Sequence, residues 1–188
     1  MSRAVWSTPF GDLEPNKEMI GNIASSGIAA IDENPFETEH SISALVPFVK
    51  KTFPEARVVP IILKEKTSID TCQRIARILY DNNADRDVLV IASVDFSHDL
   101  PLEETETEDA RSALAIAGFD FDMIYDLEAD SPASIYTLLY SLRLLGAENL
   151  VFSEQSNSFR IVNSSSNESI TGYFIGHFGL SEKKFQNF

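Results

Sequence analysis

Hydrophobic positions along this chain change their period from segment to segment. Arg57-Val-Val-Pro-Ile-Ile-Leu63 and Asp87-Val-Leu-Val-Ile-Ala92 are short continuous apolar runs, the pattern of strands covered on both faces. Between and after them apolar residues recur at helical spacing. Ile42, Leu45, Val46, Val49 and Phe53 form one stripe, and Pro47 inside it marks either first turns or a kink. Ile69, Cys72, Ile75, Ala76 and Leu79 form a second. Ile135, Leu138, Leu139, Leu142 and Leu145 form a third, with Ser131 as N-cap, Pro132 at the first helical position and Gly146 just past the end. A further helix starts near Pro101, its first turns carrying Glu103, Glu104, Glu106, Glu108 and Asp109, where the helix dipole favours acids.

The C-terminal part reads differently. Residues 150–154, 159–162 and 170–178 are β-type runs, and the last two flank a Ser/Asn-rich loop at 163–169 across which they are expected to pair antiparallel. Strands alternating with helices predict an α/β fold over residues 1–188: three layers, α/β/α, around a mostly parallel central sheet with an antiparallel C-terminal edge. Ligands of such folds gather at the carboxyl ends of parallel strands.

Composition narrows the chemistry. One cysteine, Cys72, rules out a disulfide framework and a Cys-based structural zinc site, and on its helical stripe it reads as a small core residue. Twenty-nine acids against 15 bases give a net charge of -14, which opposes binding to nucleic acid. No apolar stretch approaches the roughly 20 residues of a membrane span, and no charged-then-apolar leader stands at the start. The expected address is cytoplasmic, which makes the Asn-x-Ser/Thr matches at Asn163 and Asn167 fortuitous.

The densest polar cluster is Ser93-Val-Asp95-Phe-Ser97-His98-Asp99, directly after the 87–92 run. An Asp and a His three residues apart can orient one another, the carboxylate fixing the imidazole tautomer and raising its basicity. Asp95 and His98 are therefore candidate catalytic residues, with Ser97 a candidate substrate contact; a turn in which Asp99 caps the next helix explains the same residues structurally. Glu39-His40-Ser41 is the second cluster, at a helix start where Thr38 is a natural N-cap. A functional reading brings Glu39 and His40 to substrate beside His98. Asp130-Ser131 is explained by capping alone. His177 lies in the terminal strand pattern and reads as structural. Phosphate-loop, dinucleotide-fold, nucleophile-elbow and HExxH motifs are all absent from the sequence.

Trp6-Ser-Thr-Pro-Phe-Gly11, Glu39-His-Ser41 leading to Pro47-Phe48, Val59-Pro-Ile61, Ser93-Val-Asp-Phe-Ser-His98, Leu142-Arg-Leu-Leu-Gly-Ala147 and Gly172-Tyr-Phe-Ile-Gly-His-Phe178 occur in one order. Together they resemble the Memo family, also called AmmeMemoRadiSam system protein B, over nearly the whole chain. The resemblance implies a fold like that of class III extradiol dioxygenases of the LigB type, where a non-haem iron or related metal sits at the strand ends. It also implies redox activity or the binding of phosphotyrosine peptides and other protein partners.

Departures from the family pattern bear on that implication. The family's Pro-His-Ala-Gly and Ser-His motifs, whose histidines bind metal, have no counterpart in this sequence, which starts after both. The family's cysteine ligand falls at Asp130, its following glycine at Ser131, and the glutamate after Glu-His-Ser at Ser43. A hard carboxylate replaces a soft thiolate as the one candidate metal ligand, Asp130. Two functions compete: a ligand- or partner-binding protein with a degenerate metal site and no cofactor, or a metal-dependent oxidoreductase holding iron or another divalent metal, with His98 as acid/base. A short N-terminal part would also leave a sheet edge for a protein partner or a second copy to cover.

Overall fold

The computed structural model describes residues 1–81, 88–147, 149–163 and 168–179. The chain is α/β, with two three-stranded sheets and several helices. It divides into two compact units, residues 1–63 with 81, and residues 64–80 with 88–179.

In the first unit, β1 (Trp6–Thr8) turns through Gly11, whose φ of 105° suits glycine, into β2 (Gly11–Pro15). The two pair antiparallel, and β2 pairs in parallel with β3 (Arg57–Val58). Helix α1 (Lys17–Ser25) is capped by Asn16, whose side chain accepts from the Met19 amide, and it buries Met19, Ile20 and Ile23. The stripe from Ile42 becomes regular helix only over α2 (Val46–Thr52), where Pro47 sits in the first turn and costs no hydrogen bond.

In the second unit, α3 (Ile69–Asp81) lies along α5 (Pro132–Leu145): Cys72 Sγ meets the Ala133 carbonyl, Gln73 donates to Tyr136 Oη and Arg77 to Tyr140 Oη. The predicted limits of α5 hold, including Gly146 at φ 69° as its left-handed terminator. Cys72 is fully buried and lies 3.4 Å from Tyr125 Oη. Strands β4 (Phe96–Leu100), β5 (Asn149–Asn157) and β6 (Ile170–Gly179) form an antiparallel sheet with β6 in the middle. The rings of Phe96 and Phe174 stack across β4 and β6 at 3.6 Å. Helix α4 (Leu102–Ala117) packs on β4 and β6, and α6 (Ser158–Val162) follows β5.

Several expectations change. Only Arg57 and Val58 of the 57–63 run pair as a strand; Pro60 has no amide to offer a ladder. Val88–Ala92 is extended but joins no strand among the described residues, with Leu89 65% and Ile91 50% exposed, while Asp87 lies outside them. Residues 159–162 are helix instead of strand, because Asn157 accepts from the Arg160 amide and starts a helical turn. Strand β6 pairs antiparallel with β5 and β4 instead of with residues 159–162, and the described pairings are antiparallel except β2 with β3. Residues 164–167 of the Ser/Asn loop, Asn167 included, lie outside the described residues. No helix among the described residues is long and apolar enough to cross a membrane.

Gly172 fixes how α4 meets the sheet. It stands opposite Phe96 on β4 and Asn157 on β5, and a Cβ there would lie 2.0 Å from Asp109 Oδ2 of α4. Gly172→Ala should therefore destabilise the protein by about 2–3 kcal/mol in urea unfolding, and Asp109→Ala in the same chain should recover part of the loss. Equal, additive losses would show that the two positions do not press on each other.

Candidate functional site

Phe96-Ser97-His98 of the DFSH segment open strand β4, whose pairing with β6 is irregular between Phe96 and Leu100, so Phe96 and Ser97 are both buried while His98 and Asp99 are both exposed. Ser97 is fully buried, its hydroxyl 3.4 Å from the Thr105 carbonyl of α4. His98 is exposed on the outer face, its Nδ1 3.4 Å from the Thr171 hydroxyl of β6 and its Nε2 3.9 Å from Asp99 Oδ2. Asp99 is left-handed at φ 56°, and its Oδ1 accepts a 2.5 Å hydrogen bond from Ser169, itself at φ 57°. The carboxylate of Asp99 thus closes the strand end against β6 and does not cap α4, whose N-cap is Pro101.

Asp95 and Asp130 meet just before β4. The Asp95 amide donates to Asp130 Oδ1 at 3.1 Å, the Asp130 amide donates to the Asp95 carbonyl at 3.0 Å, and Phe96 bridges Ala129 beside them. The structure thus brings together Asp95 with Asp130, and His98 with Asp99 and Thr171. Among the described residues, the carboxylate within ion-pair range of the His98 ring is that of Asp99.

Glu39 and His40 lie in the first unit. The Glu39 carboxylate accepts from the Ile42 and Ser43 amides and from the Ser41 hydroxyl. Glu39, and not Thr38, therefore caps the turns leading to α2, while Thr38 ends a short 3-10 turn over Asn34–Glu37. His40 is exposed. Sequence reading passed over Asp99 and Thr171 as partners of His98, and Ser169 as the partner of Asp99, since Ser169 and Thr171 are distant in sequence and no local spacing signals them.

The donor set tests the metal that the family pattern implies. Asp130 Oδ1 is engaged by a backbone amide, and among the described residues no three His, Cys, Asp or Glu side chains gather in a way that could hold a metal ion. The residues present do not fit that metal.

A family model described as "Memo-like protein" matches residues 1–173. Curated relatives, each described as a MEMO1 family protein, include one from Methanococcoides burtonii, 32% identical over 79% of this chain and 59% of its own length. One from Desulfurococcus amylolyticus is 33% identical over 77% of this chain and 54% of its own length. One from Thermococcus onnurineus is 31% identical over 89% of this chain and 66% of its own length. The chain therefore spans between 54% and 66% of the length of these relatives.

Removing the Glu39 cap should cost about 1 kcal/mol: Glu39→Ala lowers the urea midpoint, while Glu39→Gln, which keeps one carbonyl acceptor, loses less. Equal losses in the two variants would remove the capping role from the carboxylate.

Proposed function

Because the chain belongs to the Memo family, we propose that it acts as a ligand- or partner-binding member whose metal site is degenerate. The observation that carries this reading is the engagement of Asp130 Oδ1 by the Asp95 amide, where the family pattern has a cysteine ligand. The chemistry left on the surface is the His98 imidazole, with the Asp99 carboxylate and the Thr171 hydroxyl beside it. Such a group recognises polar ligands by donating and accepting hydrogen bonds. In this reading Asp95 positions the strand start and Ser97 holds β4 against α4, while Glu39 and His40 are candidate substrate contacts within the first unit.

The finer architecture belongs to the same proposal: a LigB-like, three-layer fold with a mostly parallel central sheet, which the continuous apolar composition of the 57–63 and 87–92 runs supports. A cytoplasmic address, in keeping with the free buried Cys72, and a protein partner or second copy covering an exposed sheet edge belong to it as well.

The competing reading is a metal-dependent oxidoreductase of the extradiol dioxygenase superfamily. It rests on the Asp130 carboxylate, an oxygen ligand type that stands beside the start of β4. Metal analysis of untagged protein separates the two. We expect no stoichiometric metal and an unchanged melting temperature on adding Fe(II), Zn(II) or Cu(II). Stoichiometric iron that Asp130→Ala abolishes would overturn the binding-only reading.

The two motif residues Asp95 and His98 give a second expectation. The double variant Asp95→Asn, His98→Ala should fold with its far-ultraviolet spectrum intact yet lose binding to whatever ligand is found. Loss of folding would assign the pair to structure.

A further inference from the structure

Between α4 and the β4–β6 pair lies a buried acid that the proposed function does not use. Asp109 is 2% exposed, on the helix that packs on β4 and β6. Among the described residues its Oδ1 has no hydrogen-bond partner, and neither has the buried Ser112 hydroxyl one turn along the same face. Both oxygens of its carboxyl lie against Gly172, where no side chain fits. The Ser97 hydroxyl, 3.4 Å from the Thr105 carbonyl, is the neighbouring group that supports its charged form.

We propose that Asp109 is a proton-operated latch: neutral, it holds α4 against the β4–β6 pair, and on losing its proton to water it loosens that pair and the His98–Thr171 face above it. The hydrogen-bond geometry distinguishes the two states. A neutral carboxyl donates to Ser97 Oγ, leaving the serine proton for the Thr105 carbonyl, so every proton has an acceptor. A carboxylate takes the serine proton for itself and stays short of donors in a dry site, where an unmet charge is costly.

The charged neighbours do not relieve it. On α4, Glu106 is drawn outward to Arg160 of α6, and Glu108 pairs with Arg111. On β4, His98 and Asp99 stand on the exposed side. On β6, Tyr173 follows Gly172, and the turn over Ile124–Asp126, which also packs on α4, supplies Tyr125 and Asp126. Burial accordingly holds the Asp109 carboxyl above the usual carboxylate range, Ser97 pulls the other way, and Glu106 adds to the rise. An acid whose proton is held more tightly in the folded state is at no disadvantage below its unfolded value, near 3.9. Its cost to stability grows as pH rises through the folded value, and is constant above it.

Melting temperatures of the wild-type chain and Asp109→Asn, measured from pH 3 to 8, test the latch. The asparagine should gain on wild type as pH rises and then hold a constant lead, while wild-type amide resonances of Ser97, His98 and Gly172 titrate together with one midpoint above the ordinary carboxylate value. Parallel melting profiles, or no such common titration, would overturn the latch. Should Asp109→Asn not fold, Ser97→Ala keeps the idea exposed: without the hydroxyl that supports the charged form the resonance midpoint must move up, and a midpoint that stays or falls refutes it. The readouts are stability and resonance positions, so they stand or fall apart from any ligand-binding role of His98.

Discussion

A carboxyl group set against a glycine decides how the larger unit is put together. Asp109 can lie flat on β6 only because Gly172 has no side chain, and Gly172 is where both β4 and β5 pair with the central strand. Helix and sheet are thus registered by a polar contact on a buried helix face that also carries Thr105 and Ser112. Such a contact adds little to net stability but penalises every alternative placement of the helix, since sliding α4 would strand a buried acid against backbone. The neighbouring Phe96–Phe174 stack supplies the apolar half of the same joint. Residues on the far side of β4 inherit their positions from it.

Burial divides the motif: Phe96 and Ser97 are covered while His98 and Asp99 meet solvent, a split that follows the irregular pairing of β4 with β6. The left-handed turns at Asp99 and Ser169 then tie the end of β4 to the start of β6 by a short side-chain hydrogen bond. Asp130 does comparable work at the other end of the strand, fastening the Asp95 backbone. The Asp130 carboxylate there serves the chain's own main chain.

Much of this was legible in the sequence where the determinants are local. Helix α5 could be bounded from Ser131, Pro132 and Gly146 because capping chemistry acts within one turn. Cys72 could be placed in the core from its stripe. The strands were less legible, because a strand needs a partner and sequence alone does not name one. Val59–Leu63 and Val88–Ala92 carry the right composition yet join no ladder among the described residues, while DFSH, which looked like a turn, is a strand because β6 pairs with it. The run at 159–162 went to helix because the Asn157 side chain offered its amides an earlier solution than a distant strand could. The candidate site followed the same division: Asp95, His98 and Asp130 were visible as a motif and a family position, but the partners that orient them come from far along the chain.

The open run at Val88–Ala92 has a colloidal consequence. Five uncharged residues of high β-propensity, with Leu89 and Ile91 turned to solvent, are the kind of segment from which chains recruit one another into cross-β stacks. What keeps molecules apart is mutual repulsion from the charge of -14. Raising the ionic strength shortens the reach of that repulsion to a few ångströms without weakening the attraction of apolar surface, so concentrated brine should drive this protein out of solution.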